Sequence, residues 1–334
     1  MLFGITLRPL NQTDGETLFR FFTGLSGESL AKFAPHAVFP AALEKICRED
    51  AENRFLAVDE NGNAVGYLFF TRQNAVTCWM KLAVLDAYAG RGLGKQMVGQ
   101  AQKIARERDW QLLLAEIYGT DLAASRLLQH NGFVQQGRGM NGGLYYLCDL
   151  CAEKSAETRL LPPCETALTA SDGTPYRIRS LRETDGEGLY RFFREMSPRG
   201  AALYTPHPTD REYLEKLCRE CRKTENFDRF LAVFDRDGQE AVGGYVFLSS
   251  LQTTLPSMGI GAADWTTGKG VGRQMLTFIQ KRAHYDYGRA VMRLITHPSN
   301  FTAQKLYKLN GFEQVGFAGN GELAMICDLN AQKL

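Results

Sequence analysis

Two nine-residue stretches combine closely spaced glycines with basic residues, a combination that suits anion binding. They read AGRGLGKQM, from Ala89 to Met97, and TGKGVGRQM, from Thr267 to Met275. Each follows an apolar run typical of a strand and leads into a pattern typical of a helix. Glycine allows left-handed backbone conformations and close approach to a ligand. The first turn of a helix offers unpaired N–H groups at the positive end of its dipole, where phosphate groups bind.

These glycine turns favour a phosphate-containing ligand, although an ordinary tight turn from strand to helix would use the same residues. Two familiar nucleotide patterns do not fit. Gln96 and Gln274 stand where the Walker A pattern requires Ser or Thr for magnesium. The dinucleotide pattern fails because the glycines alternate with other residues and no acidic residue closes a βαβ unit at the required distance. The predicted ligand contacts are Gly90, Arg91, Gly92, Leu93, Gly94 and Lys95 in the first turn, and Thr267, Gly268, Lys269, Gly270, Val271, Gly272 and Arg273 in the second.

The two glycine turns belong to a long internal repeat. LRPLNQTDGETLFRFF, from Leu7, matches IRSLRETDGEGLYRFF, from Ile178, without a gap, at an offset of 171 residues. QHNGFVQQG, from Gln129, matches KLNGFEQVG, from Lys308, at an offset of 179 residues. The small drift means that a few short insertions separate the halves. A period of this size indicates a duplicated domain rather than a solenoid.

Both halves show the same predicted order of elements. A strand is followed by two helices, a hairpin, a strand entering the glycine turn, a helix, a strand, a helix and a last strand. Asn61-Gly62 and Asp237-Gly238 mark the hairpins. This order predicts an α+β fold in which an antiparallel meander is joined to a βαβ unit. We expect domains over 1–151 and 176–334, joined by a polar, proline-containing linker over 152–175.

The composition is that of a soluble globular protein, with 44% hydrophobic and 23% charged residues among 334. A net charge of +2 is too small to favour nucleic acid or an anionic membrane as the main partner. No apolar run reaches the roughly 20 residues of a membrane span, and the start MLFGITLRPL lacks the pattern of an export signal. We therefore expect a cytoplasmic protein.

Eight cysteines include two pairs with CxxC spacing, which elsewhere bind zinc or exchange disulfides. These pairs are Cys148 with Cys151, and Cys218 with Cys221. In the repeat, Cys148 aligns with Cys327. Likewise Cys218 aligns with Cys47, and neither counterpart has a second cysteine at this spacing. Buried, reduced thiols explain this pattern better than a metal or redox site, and no metal is expected.

The glycine turn, followed by a helix, a strand and NFTAQKLYKLNGF from Asn300 to Phe312, resembles the GNAT family of N-acetyltransferases. The resemblance covers nearly the whole chain, twice over. It implies that each half is a mixed, mostly antiparallel sheet with helices on both faces and one pair of splayed parallel strands. The glycine loop would hold the pyrophosphate of coenzyme A, and the pantetheine would lie in the gap. The family usually has Arg or Gln at the positions of Ala89 and Thr267, so one side-chain contact is missing from both loops.

The resemblance also implies catalytic roles in the second half. A backbone N–H would polarise the acetyl carbonyl while an amine attacks it directly. Asn300 matches a position that helps to bind coenzyme A, and Tyr307 matches the phenol that protonates the departing thiolate. The aligned residues of the first half are Asp121 and Leu128, and leucine has no proton to donate. An aromatic side chain in the core is the other interpretation of Tyr307.

Candidates for the general base differ between the halves. Glu116 occupies the place of a glutamate that accepts the amine proton in some members of the family. The aligned residue is Ile295, so His297, two residues further on, is the base candidate of the second half. A surface carboxylate and an ordinary loop histidine are the simpler interpretations of these two residues.

One histidine recurs in both halves, His36 in FAPHAVF and His207 in YTPHPTD. In the family this segment lines the acceptor site, so an imidazole held after a proline would serve as a base or an acceptor contact. A packing or capping histidine at a helix start explains the pattern equally well.

Together these features predict an acetyl-CoA-dependent N-acetyltransferase with its site in the second half and a first half that is degenerate. The acceptor would be a small-molecule or peptide amine, and the chain a monomer with an internal pseudo-dimer or a weak homodimer. A non-catalytic acyl-CoA-binding or regulatory module is the alternative, and a hydroxyl acceptor or a longer acyl donor stays open.

Overall fold

The computed structural model describes residues 4–33, 36–118, 120–152, 160–223 and 225–332. Its internal contacts divide the chain into two units, one of residues 1–150 with 316–320 and one of residues 151–315 with 321–334. Each unit is considered by itself.

The first unit follows a strand order of β1-β2-β3-β4-β5-β7-β6. Its strands are β1 (Thr6–Pro9), β2 (Arg54–Val58), β3 (Ala64–Arg72), β4 (Thr77–Val84), β5 (Leu112–Ile117), β6 (Val134–Arg138) and β7 (Leu144–Asp149). Its helices are α1 (Gly15–Thr23), α2 (Gly27–Phe33), α3 (Pro40–Glu49), α4 (Leu93–Glu107) and α5 (Leu122–His130). Strands β4 and β5 are parallel, and the other pairs are antiparallel.

The second unit follows a strand order of β8-β9-β10-β11-β12-β13-β15-β14. Its strands are β8 (Glu165–Thr169), β9 (Pro175–Ser180), β10 (Phe227–Arg236), β11 (Gln239–Ser249), β12 (Ser257–Ala262), β13 (Val291–Thr296), β14 (Phe312–Ala318) and β15 (Leu323–Asp328). The last residues of β14, 316–318, are grouped with the first unit, and the strand is described here with the hairpin it forms. Its helices are α6 (Gly186–Arg194), α7 (Pro198–Leu203), α8 (Arg211–Arg219), α9 (Val271–Lys281) and α10 (Phe301–Leu309). Strands β12 and β13 are parallel.

Helices cover both faces of each sheet, which confirms the predicted fold class. In the first unit, α1 buries Leu18, Phe21 and Phe22 at helical spacing against one face of the sheet. On the other face, α4 buries Met97, and a Cβ on Gly66 of β3 would approach its sulfur to 2.6 Å. The helix therefore sits closely on the sheet because the strand has no side chain at that point. In the second unit, α6 and α9 contribute to two separate cores in the same way.

The parallel strands separate soon after they pair, as the resemblance implied. Strand β4 pairs with β5 only from Thr77 to Trp79, although β4 continues to Val84. Strand β12 pairs with β13 only at Ser257 and continues to Ala262. The backbone edge beyond these points is left without its parallel neighbour in each unit.

Two features differ from the predicted elements. The single last strand is in fact a hairpin, β6–β7 or β14–β15, because Gly142 and Gly321 adopt φ values of +83° and +85° in their turns. The linker predicted over 152–175 is shorter, because Glu165–Thr169 form strand β8 and pair with β9. Its central residues, 153–159, lie outside the described part of the chain.

A buried arginine–carboxylate pair recurs beside the first helix of each unit. In the second unit, Arg179 Nη1 and Nη2 donate to Asp185 at 2.7 and 2.8 Å, with side chains only 3% and 10% exposed. In the first unit, Arg8 donates to Asp14 at 2.6 and 2.7 Å, but its side chain is 34% exposed. The two pairs therefore differ in the burial of the arginine, since Asp14 is 6% exposed and so is as buried as Asp185.

Candidate functional site

Both glycine loops have the backbone conformation that only glycine adopts easily. In the first loop, Gly90 and Gly92 have φ values of +71° and +85°. In the second, Gly268 and Gly270 have φ values of +79° and +77°. A Cβ on any of these four residues would meet nothing within 4 Å, so the loops are open to a ligand from outside.

Each loop ends in a helix start with unused amide groups. The first backbone bond within α9 runs from Gln274 N–H to Gly270 C=O at 3.0 Å. The first bond within α4 runs from Gln96 N–H to Gly92 C=O at 3.2 Å. The amides of the intervening residues have no carbonyl of their own helix to bond with. Their position beside open glycines fits an anionic group such as a pyrophosphate.

An aspartate just before each glycine loop accepts hydrogen bonds from the start of a neighbouring helix. The sequence did not predict this contact. Asp264 accepts a hydrogen bond from Ser197 N–H at 2.7 Å, at the start of α7. In the first unit, Asp86 accepts from Ser26 N–H at 2.8 Å and from the Ser29 hydroxyl at 2.6 Å, just before and within α2. The hydroxyl bond is the largest cause of a lowered pKa for Asp86.

The second unit has tyrosine at two positions where the first unit has an apolar residue without a hydroxyl group. Tyr307 of α10 is buried, and desolvation raises the pKa of its phenol, which is therefore protonated at neutral pH. Tyr204 packs so closely on Gly261 of β12 that a Cβ there would lie 2.3 Å from its ring. Burial raises the pKa of Tyr204 well above its usual value, and the phenols of Tyr245 and Tyr307 add to this. In the repeat, Leu128 aligns with Tyr307 and Phe33 with Tyr204, so the change of residue type at both positions was readable from the sequence.

A cavity of about 410 Å³ lies between α7 and the start of α10, and neither phenol is part of its lining. Its lining consists of Arg199, Ala202, Leu203, His297, Ser299 and Phe301, which come from α7, the loop after β13 and the start of α10. Arg199 is exposed, and the ring of Phe301 is 70% exposed although it is apolar. The cavity combines a cation, an imidazole and an apolar ring, which is typical of a small-molecule site.

His297 is exposed at this cavity, but its ring is engaged locally. Its Nδ1 accepts from Ser299 N–H at 3.2 Å and lies 2.7 Å from the Ser299 hydroxyl. A neutral ring with an accepting Nδ1 carries its proton on Nε2. The role of general base stays a prediction, and it requires Nδ1 to exchange these partners for a substrate proton.

The Glu116 carboxylate accepts hydrogen bonds from the turn between β6 and β7. Its Oε1 accepts from Asn141 N–H at 3.0 Å and from Gly143 N–H at 2.9 Å, and its Oε2 accepts from the Asn141 side chain at 2.9 Å. A Cβ on Gly139 would lie 2.2 Å from the carboxylate carbon. The structure therefore gives Glu116 a structural role in the β6–β7 turn, and the predicted role of base would need the carboxylate to leave it.

Asn300 is the N-cap of α10. Its side-chain oxygen accepts from Ala303 N–H at 3.2 Å. Asp121 caps α5 in the same way, accepting from Ala124 N–H at 2.9 Å. Both residues thus have a local reason for their place in the repeat, and the predicted contact of Asn300 with coenzyme A stays a prediction.

The recurring histidines lie in hydrogen-bonded clusters of aromatic rings. His36 Nε2 lies 3.3 Å from Tyr67 Oη, and His207 Nε2 lies 3.3 Å from Tyr245 Oη. Their Nδ1 atoms lie 2.9 and 2.8 Å from backbone carbonyl oxygens, so Nδ1 donates and Nε2 accepts from the tyrosine. Arg54 donates to the Tyr67 oxygen at 2.6 Å. Both histidines therefore have local structural partners, and their contact with a substrate stays a prediction.

These histidines predict a pH dependence of stability. Burial lowers the pKa of His36 and of His207 in the folded chain, so below about pH 6.5 the unfolded chain binds protons that the folded chain does not. The free energy of unfolding is expected to fall as the pH drops from 7 to 5, by at most about 1.4 kcal/mol per pH unit for each histidine. Urea unfolding of the chain with both residues replaced by asparagine should show a flatter profile. His297→Asn, in an exposed loop, is the matched control. If only this control removed the dependence of the unfolding free energy on pH, the assignment of that dependence to His36 and His207 would be wrong.

The other titratable clusters give no sign of a metal centre within the described residues. No disulfide joins the cysteines of the described residues, and Cys47, Cys148, Cys218 and Cys327 are buried in helices or strands as predicted. In the described ranges, no three or more His, Cys, Asp or Glu side chains come together as ligands. None of the described helices has both the length and the apolar character of a bilayer span.

Comparisons with known proteins show what part of the chain is similar to. Residues 21–133, which include the first glycine loop, match the model of the acetyltransferase (GNAT) family. A putative phosphinothricin acetyltransferase, YwnH of Bacillus subtilis, is 24% identical over 140 residues, covering 40% of this chain and 86% of that protein.

Two solved structures resemble part of the chain. The GNAT domain of an S. lividans protein named PAT is 16% identical with a TM-score of 0.42, covering 49% of this chain and 96% of that one. A GNAT-family acetyltransferase from Bacillus anthracis is 12% identical with a TM-score of 0.39, covering 44% and 95%. Residues 21–133, which contain the first glycine loop and one pair of splayed parallel strands, are thus similar to the GNAT acetyltransferase family.

Proposed function

We propose that the chain is an acetyl-CoA-dependent N-acetyltransferase whose chemistry takes place in the second half. The observation that supports this choice is a pair of interacting phenols, Tyr204 and Tyr307, of which Tyr204 directly follows Leu203 in the lining of the cavity. The first half has Phe33 and Leu128 at these positions and so lacks both hydroxyl groups.

The donor would be held mainly by backbone groups. The open glycines and the first amides of α9 suit the two negative charges of a pyrophosphate. The edge of β12 beyond Ser257 has no parallel neighbour, so an extended pantetheine can lie along it like an added strand. Donors on this edge would also stabilise negative charge developing on the acetyl oxygen.

The reaction would be direct transfer. A neutral amine in the cavity attacks the thioester carbonyl, the C–N bond forms, and the C–S bond breaks. Tyr307 gives its phenolic proton to the departing sulfur, and the proton released by the amine passes through solvent to restore the phenol. The raised pKa of Tyr307 keeps the phenol protonated until negative charge develops on the sulfur.

The first half would bind the donor without transferring its acetyl group. Its glycine loop has the same open conformation as the second, but Leu128 has no proton to give and Glu116 is bound in its turn. We propose that the acceptor is a small-molecule or peptide amine, with phosphinothricin, named for the Bacillus subtilis relative, as one member of the first test panel.

Calorimetric titration with acetyl-CoA tests donor binding by each loop. Gly270→Asp places a carboxylate where the phosphates would bind, and Coulomb repulsion at about 4 Å is expected to weaken that site more than tenfold. Gly92→Asp should do the same for the first loop. Gly238→Asp and Gly62→Asp are matched controls, since these glycines have φ values of +77° and +79° and open surroundings in hairpin turns. Unchanged binding in both loop variants, or no binding by the unmodified chain, would contradict the proposal.

A further inference from the structure

The lysine of the second glycine loop is already paired with a carboxylate. Lys269 Nζ lies 3.0 Å from Asp172 Oδ2, at the tip of the hairpin formed by β8 and β9. The other oxygen, Asp172 Oδ1, accepts from Thr174 N–H at 3.0 Å, which fixes the orientation of the carboxylate in the turn. Both charged side chains are only about two-fifths exposed, at 36% and 39%.

Further hydrogen bonds hold this hairpin against the loop. Ser171 N–H donates to Lys269 C=O at 2.9 Å. Gln274, in the first turn of α9, donates from its side chain to Thr169 C=O at 3.0 Å and accepts from the Tyr176 hydroxyl. The ion pair is thus one part of a docked element, whose other contacts would remain if the carboxylate were removed.

The first loop has a different charge environment. Arg91 takes the place of Lys269, and its guanidinium carbon lies 5.9 Å from the centre of the Tyr88 ring. Among the residues that the structure describes, neither Arg91 nor Lys95 belongs to an ion pair. The two basic side chains of the second loop, Lys269 and Arg273, have the carboxylate of Asp172 beside them, which lowers their summed charge from +2 to +1.

We infer that Asp172 lowers the affinity of the second glycine loop for the donor's phosphates by competing for Lys269, so that the two halves take up donor unequally. This inference rests on the proposed function, because it assumes that the loops bind coenzyme A. A phosphate oxygen that engages Lys269 must displace the carboxylate or lie beside it. A unit charge about 4 Å away costs roughly 1 kcal/mol in water, which corresponds to about a fivefold change in affinity. The Lys269 bond, with the turn bonds to Thr174, holds the pKa of Asp172 at about 2, so its charge is present throughout the neutral range.

The test uses the full-length chain with Gly92→Asp to silence the first loop, titrated with coenzyme A in low salt. Adding Asp172→Asn keeps an oxygen for Thr174 N–H and removes only the charge, and we expect coenzyme A to bind about fivefold more tightly. The gain should shrink in 0.5 M salt, because exposed charges are then screened. Glu165→Gln is the matched control, since Glu165 belongs to the same hairpin but pairs with Arg177 and Arg182.

The outcomes separate the inference from the proposed function. Tighter binding with Asp172→Asn alone supports the inference, including the case in which binding appears only in that variant. Unchanged or weaker binding with Asp172→Asn, or equal gains with Glu165→Gln, overturns it while leaving the proposed function in place. No binding of coenzyme A by the unmodified chain or by any variant overturns both.

Discussion

Replacement of Tyr307 by phenylalanine is expected to lower kcat at least about a hundredfold while the KM for acetyl-CoA stays within about twofold. Tyr307 is buried and packs against Phe312, with ring centres 5.7 Å apart, so phenylalanine keeps the packing and loses only the hydroxyl. A positioned general acid typically contributes 10²–10⁴-fold to a rate. Initial rates of thiol release from acetyl-CoA, with the best acceptor amine of the panel, measure both constants.

The control for this prediction is Tyr285→Phe, which removes a phenol that is 63% exposed and is expected to leave both constants unchanged. A Tyr307→Phe variant with full kcat would assign the residue to the core of the second unit and remove it from the reaction. A rise in KM without a fall in kcat would indicate lost binding rather than lost acid catalysis.

Replacement of Arg179 by methionine is expected to destabilise the second unit by about 3–5 kcal/mol, because it leaves the Asp185 carboxylate buried without its cation. Arg179 also donates to Glu240 at 2.8 Å, so two carboxylates lose the same partner. Urea unfolding followed by circular dichroism is the measurement, fitted with separate transitions for the two units because a chain of two domains need not unfold in one step.

Arg8→Met is the matched control from the first unit. The side chain of Arg8 is 34% exposed against 3% for Arg179, so water can more easily take the place of the lost guanidinium beside Asp14, and the loss should be smaller although Asp14 itself is only 6% exposed. The double variant Arg179→Met with Asp185→Asn should recover part of the stability, since no unpaired charge is then buried. Equal losses in the two single variants would contradict the argument from burial.

The elements around the glycine loops could be predicted because local sequence determines them. Left-handed glycines at Gly92 and Gly270 lead directly into helices, and an Asp-Gly pair at Asp237-Gly238 makes the expected tight hairpin with positive φ at both residues. The later hairpins had the same signal, an Asn-Gly pair at Asn141-Gly142 and Asn320-Gly321, but were predicted as single strands. Only one or two residues determine a short turn of this kind, so a prediction from sequence easily overlooks the turn and assigns its residues to the neighbouring strand.

The roles of individual polar side chains could not be predicted in the same way, because they depend on what lies opposite in the fold. Glu116 stands at a strand end in the sequence, yet a turn about 25 residues later supplies its three hydrogen-bond donors. Asp172 was part of the predicted linker, and only the pairing of β8 with β9 brings it to Lys269. Repeat comparison would have found the phenol at Tyr204, since Phe33 is its counterpart.

The aspartates before the glycine loops have a consequence for the sequence of events in a catalytic cycle. Asp264 begins the short turn that leads into the second loop, and its carboxylate accepts from the N–H of Ser197, the N-cap of α7, whose residues line the cavity. A loop that shifts as it closes on phosphate must move this helix with it or break the bond. Under the proposed function, binding of the donor at this loop would shift α7 beside the cavity, and we expect the donor to bind before the acceptor.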